Sequence, residues 1–132
     1  MHDKPEVTEK RRMAEVVALV DDIFFMAKMQ ETAKHVGIAL HTCTAPDALL
    51  AEIEMSVPRL IVVDLNARNQ PMEALERLQA SASKIPRLAF LSHVQADVAE
   101  RARKAGCANV MPRSKFTHDL AAIFTEAKSP AT

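Results

Sequence analysis

Five short apolar runs, each followed by a stretch long enough for several helical turns, constrain this chain most: Ala14–Val20, Ile38–Cys43, Leu60–Val63, Leu88–Leu91 and Asn109–Met111. Runs of this length rich in Val, Ile, Leu and Phe read as strands, and near-continuous apolar character marks strands covered on both faces. The segments between them repeat apolar residues at three-four spacing and read as helices, and helical crossovers join strands that run parallel. The pattern predicts one doubly wound α/β domain, a (βα)5 arrangement of a five-stranded parallel sheet, with the first strand at its centre.

The boundaries follow from local chemistry. Phe25, Met26, Met29, Ala33 and Val36 share one face of a helix from Ile23 to about Val36, which Gly37 ends. Thr44-Ala-Pro-Asp47 reads as a capped helix start with proline in the first turn, and Pro58 closes that helix. Met72, Leu75 and Leu78 define a third helix from Met72 to about Ala82. Val98, Ala102 and Ala105 define a fourth from Val94 to Ala105, stopped by Gly106. A fifth spans about Thr117 to Ala127. Residues 1–13 form a charged leader, 14–127 the domain and 128–132 a short tail.

Composition excludes several classes. Seventeen basic residues balance seventeen acidic ones, so no net field draws the chain to nucleic acid or to an anionic membrane. With no Trp, no Tyr and five Phe, it lacks the stacking platforms of single-strand binders. No run reaches the length of a membrane span or a signal peptide, which places the protein in the cytoplasm. Cys43 and Cys107 have no metal-ligand spacing and read as free thiols. Only two glycines exist, and neither opens a phosphate-cradling loop.

The chemistry gathers where the apolar runs end. Asp21 and Asp22 follow the first, Asp64 the third, Ser92 the fourth and Arg113 the fifth. In parallel sheets the carboxyl ends of the strands share one edge, and ligands bind there. Three carboxylates together are hard oxygen donors suited to Mg²⁺, with the Asn66 carbonyl as a neutral ligand, and a cation would relieve their mutual repulsion. A hydroxyl and a fixed positive charge complete a set suited to phosphoryl transfer. Each residue also has a plainer reading: acids at strand ends cap helices, Ser92 caps the helix after it, and His93 covers a helix start.

Val-Ala-Leu-Val-Asp21-Asp22, Ile-Val-Val-Asp64-Leu-Asn66, Phe-Leu-Ser92 and Ala-Gly106-Cys-Ala-Asn-Val-Met resemble the receiver domain of bacterial response regulators, over about residues 14–127. The resemblance implies a flavodoxin-like receiver fold. It also implies a phospho-accepting Asp64, an Mg²⁺-binding pair Asp21 and Asp22, a backbone ligand at Asn66 and a switch hydroxyl at Ser92. The sequence departs from the family at several places. Arg113-Ser114 stands where the family has lysine followed by proline, Val110 where a switch aromatic is usual and His93 where a small residue is usual. Arg68 and Met72 replace the loop's proline and glycine. The set resembles an atypical receiver subset.

The function implied is a single-domain signalling protein, not an enzyme beyond its own phosphoryl acceptance and autodephosphorylation. A sensor histidine kinase or phosphotransferase would donate the group. With no output domain expected after residue 132, the output would be contact with a downstream protein, or a homodimer, through the fourth helix, fifth strand and fifth helix. Two alternatives stay open: a pseudo-receiver that signals without phosphate, motivated by Arg113, Ser114 and Val110, and a small metal-dependent phosphatase with His93 as base.

Overall fold

A computed structural model of the chain describes residues 13–81, 83–92 and 95–130. Residues 1–12 of the leader, Ala82, His93, Val94 and the last two residues of the tail lie outside the described residues, and with them any role of His93. The elements alternate strictly: β1 (Val16–Leu19), α1 (Ile23–Val36), β2 (Leu40–Cys43), α2 (Pro46–Ser56), β3 (Leu60–Asp64), α3 (Pro71–Ala80), β4 (Arg87–Leu91), α4 (Ala96–Lys104), β5 (Asn109–Pro112) and α5 (Arg113–Glu126). All strands pair in parallel in the order β2-β1-β3-β4-β5, which is the (βα)5 doubly wound sheet expected. β3, not β1, is central; β1 pairs on both sides, which accounts for its fully apolar sequence equally well.

Side chains alternate across the sheet and build two cores. Val17, Leu19, Ile61, Val63, Ala89 and Leu91 pack under α2, α3 and α4. On the other face, Val16, Ala18, Val62 and Phe90 meet α1 and α5. There Phe90 stacks on Phe116 with centroids 4.4 Å apart, and Phe25 sits against both at 5.3 and 5.9 Å. Cys43 and Cys107 are free and buried, and burial pushes the Cys107 thiol up to about 11, so it is an inert core residue.

Helix ends differ from the sequence reading in informative ways. α1 ends on Gly37 in the left-handed conformation, as expected. α2 is not capped by Thr44: its cap position is Ala45, which makes no side-chain hydrogen bond, and Pro46 in the first turn fixes the start instead. α5 begins at Arg113, a full turn before Thr117, because Pro112 occupies the cap position in extended conformation and leads straight from strand into helix. β5 is four residues long, ends in Pro112 and forms one edge of the sheet; β2 forms the other. The start of the tail is tied to the body, with Lys128 Nζ donating to the Val36 carbonyl at 3.3 Å and the Ser129 N–H to Glu15 Oε2 at 2.7 Å.

Candidate functional site

The strand order reverses between β1 and β3, and in open α/β sheets such a switch point leaves a crevice at the carboxyl ends of the strands. Asp21 and Asp22 follow β1 there, and Asp64 is the last residue of β3, paired in register with Phe90. Ser92 follows β4, and Arg113 follows β5. The fold therefore brings Asp21, Asp22, Asp64, Ser92 and Arg113 to one edge.

Asp64 is the most enclosed of them, only 3% exposed. Burial raises its carboxyl above the ordinary range; the Asn66 N–H, donating to Oδ1 at 2.9 Å, and the nearby Arg113 charge act against that rise, while Asp21 and Asp22 add to it. Asp64 thus senses the charges of both other carboxylates. Asp21 Oδ2 accepts the Arg68 N–H at 2.8 Å, which fixes the loop after β3 onto the end of β1.

Asp22 is doubly committed. Its Oδ1 accepts the N–H groups of Phe24 and Phe25 at 3.0 and 3.1 Å, so it is the N-cap of α1. Its Oδ2 takes the guanidinium Nη2 of Arg113 at 3.0 Å. The bond from Arg113 is the largest cause that holds this carboxyl below its ordinary value, followed by the Phe25 amide. The Arg113 guanidinium in turn lies 4.2 Å from the centroid of the Phe25 ring.

The Asn66 side chain is a connector. Its Oδ1 accepts the Ser92 N–H, and its Nδ2 donates to Gln95 Oε1 at 3.1 Å. Ser92 does not cap α4; Gln95 holds the cap position and makes no side-chain cap bond. Asn66→Ala should free the Ser92 amide and speed its hydrogen exchange about tenfold, the effect of losing roughly one net hydrogen bond. An unchanged exchange rate at Ser92 would show that the connection is idle. Val110 lines a groove of about 400 Å³ beside Ser92, together with Leu91, Ala96, Ala99 and Met111.

The structure adds Phe25, Arg68 and Gln95 to the residues expected. Arg68 acts through its backbone and Gln95 through a loop contact, so neither had a sequence signal. Phe25 was legible only as a core position of α1, since nothing in the spacing shows that a cation 88 residues later in the chain lies over its ring. The donor set, three carboxylates and a backbone carbonyl, has the hard-oxygen chemistry that Mg²⁺ takes. As the side chains stand, however, no group of three His, Cys, Asp or Glu among the described residues is arranged to hold an ion. Much of the reason is visible: protein donors already occupy both oxygens of Asp22 and one each of Asp21 and Asp64.

No protein-family model and no curated protein matches the chain. Solved structures do. The receiver domain of NtrX from Brucella abortus superposes with a TM-score of 0.69 at 17% identity, over 84% of this chain and 98% of that one. The signal receiver domain of NarL from Mycobacterium tuberculosis gives 0.71 at 14% identity, over 90% and 99%. A CheY-like response-regulator receiver domain from Methanospirillum hungatei JF-1 gives 0.71 at 12% identity, over 87% and 96%. Among the described residues no helix is long and apolar enough to cross a membrane. A parallel sheet in the order β2-β1-β3-β4-β5, matched end to end by these domains, is the fold of response-regulator receivers, and it is the fold of this chain.

Proposed function

We propose that this protein is a receiver-like signalling protein that accepts a phosphoryl group on Asp64 and passes the change to a partner protein by contact. The observation that carries this reading is the place of Asp64: a buried carboxylate at the end of the central strand, with one oxygen held by the Asn66 N–H and with Arg113 close enough to act on its charge. Fixing Oδ1 leaves Oδ2 as the nucleophile. In its ionised form this oxygen bonds to phosphorus as the donor's leaving group departs with the former bonding pair. Ser92 would donate its hydroxyl proton to a phosphoryl oxygen. Arg113 would meet the same group with a planar, permanently charged fork in place of the family's lysine.

Asp21, Asp22, Asp64 and the Asn66 carbonyl would hold Mg²⁺, which supplies charge neutralisation at the transferring group. The donor partner in this reading is a sensor histidine kinase or phosphotransferase, met by this protein in the cytoplasm. The output is a protein contact or a homodimer at the face of α4, β5 and α5. A phosphate-independent interaction module is the second reading, and the bond between Arg113 and Asp22 favours it, since it satisfies the Asp22 charge without any ligand.

Intact-protein mass after incubation with acetyl phosphate and Mg²⁺ tests the proposal on wild type and Asp64→Asn, with an authentic receiver labelled alongside. Wild type is expected to gain one phosphoryl group and the variant none. No gain in wild type would transfer the assignment to the phosphate-independent module, and an equal gain in both would move the acceptor elsewhere.

A further inference from the structure

Arg113 stands where helix electrostatics disfavours it. It is the first residue of α5, at the end where the aligned peptide dipoles present positive charge, and an added cation there is repelled. Two contacts offset the repulsion: the charged hydrogen bond to Asp22 Oδ2 at 3.0 Å and the face of the Phe25 ring at 4.2 Å from Cζ. Asp22 gives its remaining oxygen to the first turn of α1. The guanidinium and the two α1 amides thus account for both oxygens of this carboxylate.

From this geometry we infer that Arg113 is the resident counter-ion of the acidic crevice and competes directly with a divalent cation for Asp22. A hard divalent ion needs several oxygen donors within a little over 2 Å, and a guanidinium seated on one of those carboxylates opposes it by both its position and its like charge. Asp21 and Asp64 each keep an oxygen outside the hydrogen bonds described above, so the loss of Asp22 to Arg113 is what separates the present arrangement from a set of three carboxylates. Cation entry therefore requires the guanidinium to leave Asp22, and with it the Phe25 ring. Arginine in place of lysine strengthens the competition, because a guanidinium binds a carboxylate and stacks on an aromatic face at once, whereas an ammonium does neither as well.

The inference rests on the reading above only in placing a divalent cation in this crevice, and its test uses no phosphodonor, so the failure of phosphorylation and the failure of competition show up in different experiments. The probe is Mn²⁺, titrated into the full chain at low ionic strength and followed by the electron-spin signal of the free ion. Wild type, Arg113→Gln, Arg113→Lys and the double variant Asp22→Asn with Arg113→Gln are compared, each checked for a cooperative melt. Arg113→Gln is expected to bind Mn²⁺ about tenfold more tightly than wild type, the scale of one partly exposed charged pair removed from competition. Arg113→Lys keeps a cation at the helix end, guards against loss of the fold, and is expected to fall between them. The gain should vanish in the double variant. Equal affinity in wild type and both Arg113 variants, whether all bind or none does, would overturn the inference. So would a gain that persists without the Asp22 carboxylate.

Discussion

Phe90→Ala is expected to lower the stability of the fold by about 3–5 kcal/mol, enough to leave a marginal domain largely unfolded near physiological temperature. Phe90 is fully buried, stacks on Phe116 at 4.4 Å and meets the edge of Phe25 at 5.3 Å. Its backbone is held by neighbouring strands on both sides, so the main chain has little freedom to close the void. The two remaining rings come from α1 and α5, and each would have to tilt its helix to refill the space. The damage should extend to the site, because Phe25 carries the Arg113 guanidinium on its face. Urea unfolding followed by circular dichroism measures the loss. A cost below about 1 kcal/mol would mean that the aromatic cluster is not the keystone of this face of the sheet.

The second prediction runs in the opposite direction. Asp64→Asn should stabilise the fold at neutral pH in buffer free of divalent ions. Burial raises the folded-state value of Asp64 above the ordinary 3.8, so the folded protein binds this proton more tightly than the unfolded chain does. Stability then falls as pH rises from that ordinary value through the folded one, and at neutral pH the whole penalty is present. The amide removes it, and its own carbonyl oxygen can still accept the Asn66 N–H. A gain of about 1 kcal/mol, or a rise of roughly 3–6 °C in Tm, is the expected scale, shrinking towards zero as pH is lowered below 3.8. Thermal melts at pH 7 and pH 3.5 decide it. A variant that melts lower than wild type at pH 7 would show that Asp64 is better solvated or better paired than its burial implies.

The opposed signs of these two results express a division between scaffold and site. The scaffold was largely legible in the sequence because periodicity reports burial: Val16–Leu19, Leu60–Asp64 and Arg87–Leu91 are strands covered on both faces, and their apolar runs say so directly. The gathering of Asp21, Asp22, Asp64, Ser92 and Arg113 was legible for the same reason, since parallel strands put their carboxyl ends on one edge. What the sequence did not carry is how those residues are spent. That Asp22 caps α1 depends on where the helix begins, and that Arg113 reaches Asp22 depends on α5 starting a turn early behind Pro112. The Asn66 side chain joins two loops, a role with no sequence signal, since the residue was read for its backbone carbonyl alone. Thr44 failed as a cap because the proline two residues later sets the helix start unaided.

The outer strand β5 has one more consequence, for the behaviour of the protein in concentrated solution. An open sheet offers the unpaired amides of its edge strands to any passing extended segment, and a long flat edge invites growth into aggregates. β5 is four residues long and closes on Pro112, which has no N–H to offer, and the chain turns at once into α5. The same proline that sets Arg113 at the head of its helix thus also blunts this margin of the sheet, and a chain without strong net charge to keep its copies apart gains colloidal protection from the shape of its edge.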